Sequence, residues 1–229
     1  MSRQPDRSQW TDLPLIPLNT VLFPGMVLPL HIFEERYKLM VNHCLEVQRP
    51  FGVLLIRQES EVRGRAMPHE VGTTTVIAGL SRLADGRMDL VTVGSERFRV
   101  RNMRHDLPYL MGDAEPWPLT GGASREAQAL VEPVRALFRH YLGLLSQAQG
   151  HKISIEEVPS EARMLALLVA IALELPLPQK QQLLDQPTVA HLLLAECKTL
   201  RREQAILDLM IRTQDEQWKG GFSGYLARN

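Results

Sequence analysis

Three arginines stand at alternate positions, Arg97, Arg99 and Arg101. On a strand, period-two spacing puts all three guanidinium groups on one face, where a phosphate or a carboxylate-bearing peptide could be held. Asp89 and Glu96 lie close enough in sequence to neutralise them. No aromatic residue is interleaved on that face, which disfavours stacking of single-stranded nucleic acid. The readings, in order, are a solvated face, an acidic ligand or partner, and nucleic acid. Trp117 stands between two prolines at the end of this region. Its large ring either packs structure together or contacts a peptide, since aromatics concentrate binding energy at interfaces.

Other residues that could do chemistry lack the company they need. The sequence has no Gly-x-x-x-x-Gly-Lys-Ser/Thr loop, no Gly-x-Gly-x-x-Gly, no Gly-x-Ser-x-Gly and no His-Glu-x-x-His. His69-Glu70 is followed by valine and glycine and completes no zinc signature. Ser160 and Lys180 could be imagined as a dyad, but Lys180 lies in a polar Gln-Lys-Gln-Gln run. A dyad needs its lysine desolvated beside the nucleophile, so the expectation is a capping serine and a solvated lysine. Glu34 with Glu35, and Glu156 with Glu157, are adjacent and point apart on any regular element. Cys44 and Cys197 have no close-spaced partner and read as small buried hydrophobes, with a disulfide between them left open. The reading therefore assigns no catalytic, cofactor-binding or metal-binding residue.

The 229 residues suffice for one good-sized core, or a core with a helical extension. Lys+Arg and Asp+Glu both number 26, and the balance holds within residues 1–118 and 119–229 alike. That removes a basic nucleic-acid arm and an acidic tail. Residues 1–9 are polar and do not read as a signal peptide, and no apolar run is long enough for a bilayer. The expectation is a cytoplasmic protein without membrane partners.

The positioning elements divide near residue 118. Leu13 to Leu22 alternates as a strand, with Pro14 and Pro17 expected to keep it off the sheet centre. Phe23-Pro24-Gly25 is a turn, and Met26 to Leu30 is extended. Phe33 to Cys44 has helical spacing, Phe51 to Ile56 suits a buried strand, and residues 58–70 read as a polar loop. Val71 to Leu83 and Met88 to Val93 flank an Asp85-Gly86 turn, a hairpin pattern. Glu96 to Met103 alternates, and Tyr109 to Met111 adds a short strand. After a Gly-rich linker the chain is helical. Ser124 is a candidate N-cap, Pro133 either kinks that helix or divides it, and Pro159, Pro178 and Thr188 introduce later helices. The expected organisation is an arm at 1–12, a β subdomain at 13–118, a helical subdomain at 119–212 and a tail at 213–229.

The segment Leu15 to Tyr37, Leu-Ile-Pro-Leu-Asn-Thr-Val-Leu-Phe-Pro-Gly-Met-Val-Leu-Pro-Leu-His-Ile-Phe-Glu-Glu-Arg-Tyr, resembles the opening motif of the N-terminal substrate-binding domain of Lon-type proteases. Further pieces follow in that family's order: Pro50 to Val53, Glu70 to Thr73, Leu83 to Met88, Val93-Gly94 through Arg97-Phe98-Arg99-Val100, and Leu107-Pro108-Tyr109. The resemblance implies an α+β fold, an N-terminal PUA-like β pseudo-barrel followed by a C-terminal helical bundle. It implies a receptor role toward an unfolded or degron-bearing polypeptide or a specific protein partner, as an adaptor in proteolysis or quality control. It implies no ATPase and no Ser-Lys peptidase activity, because neither signature occurs. Within the motif, Pro17, Phe23, Pro24, Gly25, Pro29, Phe33, Glu34, Arg36 and Tyr37 read as scaffold. Arg97, Arg99, Arg101 and Trp117 remain the candidates for partner contact. Two alternatives stand beside this reading, a barrel that binds a small molecule or is an enzyme, and a nucleic-acid binder using the basic strand face.

Overall fold

The computed structural model describes residues 10–62, 65–150 and 157–223. Its elements are β1 (Leu13–Leu18), β2 (Val27–Ile32), α1 (Glu35–Glu46), β3 (Phe51–Val62), β4 (Arg65–Pro68), β5 (Val71–Arg82), β6 (Met88–Arg104) and β7 (Leu110–Pro116), then α2 (Arg125–Gln149), α3 (Ala162–Ala172), α4 (Leu177–Leu184) and α5 (Val189–Ser223). The chain forms two compact units. One comprises residues 1–120 and 170–187, and the other residues 121–169 and 188–229. No helix among the described residues is long and apolar enough to cross a membrane.

The first unit is built on one seven-stranded sheet. Its path runs β1-β7-β6-β5-β3-β4, with β2 attached to β6 beside that path. Phe23, Pro24, Gly25 and Met26 make the tight turn that the sequence suggested. Gly25 takes φ +83, and the Met26 amide donates to the Phe23 carbonyl at 3.1 Å. The Asp85-Gly86 hairpin forms as well, closed by the Leu83 amide on the Arg87 carbonyl at 2.9 Å. Alternation along β6 buries Met88, Leu90, Phe98 and Val100. These join Ile16, Met40, Val41 and Phe51 in one cluster, and Trp10, Leu13, Leu15 and Leu54 in another. Two glycines permit the close packing. A Cβ on Gly72 would overlap the Val53 carbonyl, and one on Gly52 would stand 2.6 Å from the Phe98 ring.

Several expectations are corrected here. The pseudo-barrel is one: the seven strands do not close into a barrel. The parallel β1–β3 pairing, Leu15↔Gly52 to Leu18↔Leu55, curls the sheet. Yet β2 pairs only with β6 and β4 only with β3 among the described residues, so each keeps an open edge. Helix α4 belongs to the sheet-bearing unit. β1 lies between two neighbours despite its prolines. β7 pairs with Leu13–Leu15 and β3 with Leu15–Leu18, so both sides are engaged only at Leu15, between Pro14 and Pro17. Much of the expected 58–70 loop is a hairpin, because β3 runs on to Val62 and returns as β4. Backbone pairing needs no apolar face there, and a polar strand leaves no periodic signal. Trp10, expected in a loose arm, is buried with its ring edge-on to Phe98 at 6.3 Å. Residues 1–9 of that arm lie outside the described residues, as does Glu156.

The second unit is helical. Ser124 caps α2 by accepting from the Ala127 amide at 3.1 Å, and Gly150 ends it at φ +68. Pro133 neither divides nor stops α2. It sits on the exposed face, where the carbonyl it cannot bond is open to water. Val131, Val134, Phe138 and Tyr141 make the buried stripe of α2, and Leu192, Leu193 and Leu200 that of α5. The Gln204 side chain donates to the Leu137 carbonyl at 2.7 Å, tying the two helices.

Candidate functional site

Within the sheet-bearing unit, a groove of about 760 Å³ is lined by residues from β1, α1, β3, β4 and β6 and by the 105–110 segment. The opening motif supplies much of it. Pro17 and Leu18 come from β1, while Glu34, Arg36 and Tyr37 come from the start of α1. The prolines hold β1 extended, and the acidic pair enters the helix at its dipole-favoured end. Arg36 bonds Glu34 at 2.7 Å and lies 4.6 Å from the centre of the Tyr37 ring. Burial raises the Tyr37 hydroxyl above its usual range, against the opposing pull of Arg36. It therefore stays a neutral donor and acceptor at physiological pH.

Much of the remaining lining is apolar. Met67 and Pro68 come from β4, Ile56 from β3, Met103 from β6, and Leu107 with Pro108 from the loop before β7. Met67 is 46% exposed and Leu107 45%. Large apolar side chains that converge on a concave surface mark a binding site more often than scattered ones do. Met67 and Pro68 belong to β4, whose outer edge is unpaired among the described residues. Sequence reasoning missed Met67, Met103 and Leu107 as site residues. The available signal was weak: single apolar residues in polar stretches, without a period.

A second apolar surface lies across β2, β6 and β5, about 530 Å³ of open space over Gly79. Pro29↔Val91↔Gly79 and His31↔Asp89↔Ser81 form successive rows. The His31–Asp89 pair, 2.6 Å apart, closes one end. Here Pro29 occupies the middle of edge strand β2. Of the other motif residues, Phe23, Pro24 and Gly25 form the turn, and Phe33 is exposed beside His31.

The three arginines do not share one environment. Arg97 is buried, and its Nη1 donates to the carbonyls of Leu184 at 2.6 Å and Gln186 at 2.7 Å. It thus holds the C-terminus of α4, where free carbonyls favour a cation. The Gln181 amide nitrogen adds a bond to the Val71 carbonyl at 3.0 Å. Arg99 stacks over Trp117 at 3.6 Å from the ring centre. Arg101 is exposed and paired with Glu115. The solvated-face reading fails for Arg97 because α4 covers that part of β6. Asp185, at the end of α4, is raised above the carboxylate range by burial, with Gln181, His69 and the arginines opposing.

Lys180 is also not the solvated lysine expected. Its Nζ donates to the carbonyls of Ala170 and Ile171 at 2.8 and 2.7 Å, near the end of α3. Burial lowers it to about 8, with Glu174 opposing. Its ammonium is engaged as a cap on these helix carbonyls. Cys44 and Cys197 are both buried free thiols. No group of three or more His, Cys, Asp or Glu among the described residues is arranged to hold a metal ion.

Comparison with known proteins gives this geometry a context. Residues 12–202 match the family model described as the ATP-dependent protease La (LON) substrate-binding domain. A Lon protease of Anaeromyxobacter dehalogenans is 28% identical over 200 residues, 86% of this chain and 24% of the relative. Lon protease 2 of Syntrophobacter fumaroxidans is 30% identical over 213 residues, 89% of this chain and 26% of the relative. The chain thus spans about a quarter of the length of these relatives. Among solved structures, a Lon N-terminal domain protein from Xanthomonas campestris superposes with TM-score 0.55 at 27% identity, covering 80% of this chain and 95% of the other. The N-terminal domain of a Mycobacterium avium complex Lon protease superposes with TM-score 0.62, covering 85% and 98%. At 17% identity, that likeness speaks to the fold alone.

Proposed function

The chain belongs to the family of Lon substrate-binding domains, and on that premise we propose that its 760 Å³ groove takes up an extended, apolar segment of a protein substrate. The matched stretch corresponds to the non-catalytic substrate-binding module and not to an ATPase or protease domain. The observation that carries the reading is the meeting of two features. An apolar lining with exposed Met67 and Leu107 draws Met67 and Pro68 from β4, whose edge offers unpaired backbone groups. An extended peptide can add to such an edge through its main chain and place alternate side chains in the groove.

The two open edges are not equivalent. β2 carries Pro29 in its middle, which removes a donor and hinders pairing. β4 carries only Pro68, at its last residue. Main-chain recognition is largely indifferent to sequence, which suits unfolded or degron-bearing polypeptides in the cytoplasm. Arg97 then serves the fold, while Arg101 and the Arg99–Trp117 stack offer a separate contact for an acidic group of a partner.

Binding of a reduced, alkylated and permanently unfolded polypeptide, followed by fluorescence anisotropy, tests the proposal. The purified protein is expected to bind the unfolded chain with micromolar affinity and to ignore its native, disulfide-bonded form. Equal binding of both forms, or of neither, would refute it.

A further inference from the structure

The sulfur content of the groove wall has a chemical consequence. Met67 and Met103 approach the same groove from β4 and β6. Met67 is 46% exposed, so a small oxidant reaches its thioether from solvent. The two thiols are poor competitors. Cys44 and Cys197 are 1% and 4% exposed, and burial pushes the Cys44 thiol up to about 11, with Arg49 opposing. Thiolate character and access govern cysteine oxidation. Methionine oxidation needs access but no deprotonation.

We propose that Met67 is a peroxide-sensitive modification site whose conversion to the sulfoxide weakens binding in the groove. The proposal rests on the reading of the groove as the substrate-binding surface. In the reaction, the Met67 sulfur attacks one oxygen of hydrogen peroxide. An S–O bond forms and the O–O bond breaks. The sulfur is oxidised by two electrons, and the second oxygen leaves with both hydrogens as water. The product replaces a flexible apolar group with a polar, chiral one. A bound apolar segment would cover that S=O dipole without supplying a donor, which is unfavourable. The change is reversible by thiol-dependent methionine sulfoxide reductases.

The test treats the purified protein with hydrogen peroxide, removes the oxidant with catalase, and maps sulfoxides by mass spectrometry. Affinity for the unfolded polypeptide is then measured by anisotropy, alongside circular dichroism to verify the fold. The expected result is a loss of affinity of about five-fold when Met67 is oxidised, recovered after reductase treatment. The affinity of the Met67→Leu variant, compared with its own value before treatment, should not change after peroxide. In that variant, oxidation of the exposed Met164 and Met210 serves as an internal control. Unchanged affinity of the parent with Met67 fully oxidised would overturn the proposal, as would an equal loss in Met67→Leu. Absence of binding by untreated parent protein is a different outcome. It would remove the groove reading itself, and this inference with it.

Discussion

The sheet-bearing unit and the helical unit bury ionisable groups in opposite ways. In the first, enclosed Arg97 donates to two carbonyls at the end of α4, and Lys180 does the same at the end of α3. In the second, Glu196 is fully buried on α5, and neither carboxyl oxygen has a hydrogen-bond partner among the described residues. Burial alone raises this carboxyl well above its usual range. Where donors meet free helix carbonyls, a buried charge becomes a structural tie. Where burial brings no hydrogen-bond partner among the described residues, it is tolerated as a neutral acid. The first arrangement fixes α4 on the sheet without using the groove surface. The second gives the helical unit a pH-dependent stability.

Removing the tie should have the largest effect. Arg97→Met keeps the apolar stem but leaves the Leu184 and Gln186 carbonyls without their donor. We expect a loss of about 3 kcal/mol in urea unfolding. An unchanged midpoint would mean that α4 holds its place by packing alone.

Glu196 predicts a pH dependence with a definite sign. Its folded form binds a proton more tightly than its unfolded form, so its favourable contribution is complete below the unfolded value. As pH rises from there toward the raised folded value, stability should fall by roughly 1.4 kcal/mol per pH unit. Above the folded value the contribution is lost. Glu196→Gln, which cannot ionise, should remove that slope from denaturation midpoints measured across pH. A slope that persists in the variant would locate the pH response elsewhere.

Binding should separate the two apolar surfaces. Leu107→Asp places a charge on the groove wall and is expected to weaken binding of unfolded polypeptide by roughly ten-fold, with little change in stability. Val91→Asp makes the same change on the β2–β6–β5 face and should leave affinity intact. The reverse pattern would transfer the binding role to that face. Smallest of all is Arg101→Ala. Its pair with Glu115 is exposed, so neither the unfolding midpoint nor the affinity for unfolded chain should change.

These contrasts also show what the sequence made legible. Turns and caps were readable because they depend on local chemistry: Phe23-Pro24-Gly25, Asp85-Gly86 and Ser124 each act within a few residues. The alternation of β6 correctly placed Leu90, Phe98 and Val100. It misjudged Arg97, because alternation reports which face a residue takes and not what covers that face. Lys180 was misread for the same reason, as its carbonyl partners lie on another helix. The family motif pointed to the domain through Leu15–Tyr37, yet only the structure brings Pro17, Glu34, Arg36 and Tyr37 to one groove with Met67 and Leu107. That wall is assembled from residues distant in sequence, and β4 has no apolar period to announce it. Barrel closure was inferred from resemblance, whereas the open edges of β2 and β4 are a matter of strand pairing.

Hydrogen exchange with and without a bound unfolded polypeptide tests the central claim most directly, because it reports where the chain lies. A substrate strand added to β4 should slow exchange at the amides of residues 65–67 and in the 105–110 segment, leaving β2 unchanged. Protection confined to β2, or to α2 and α5, with none at β4 would contradict the account.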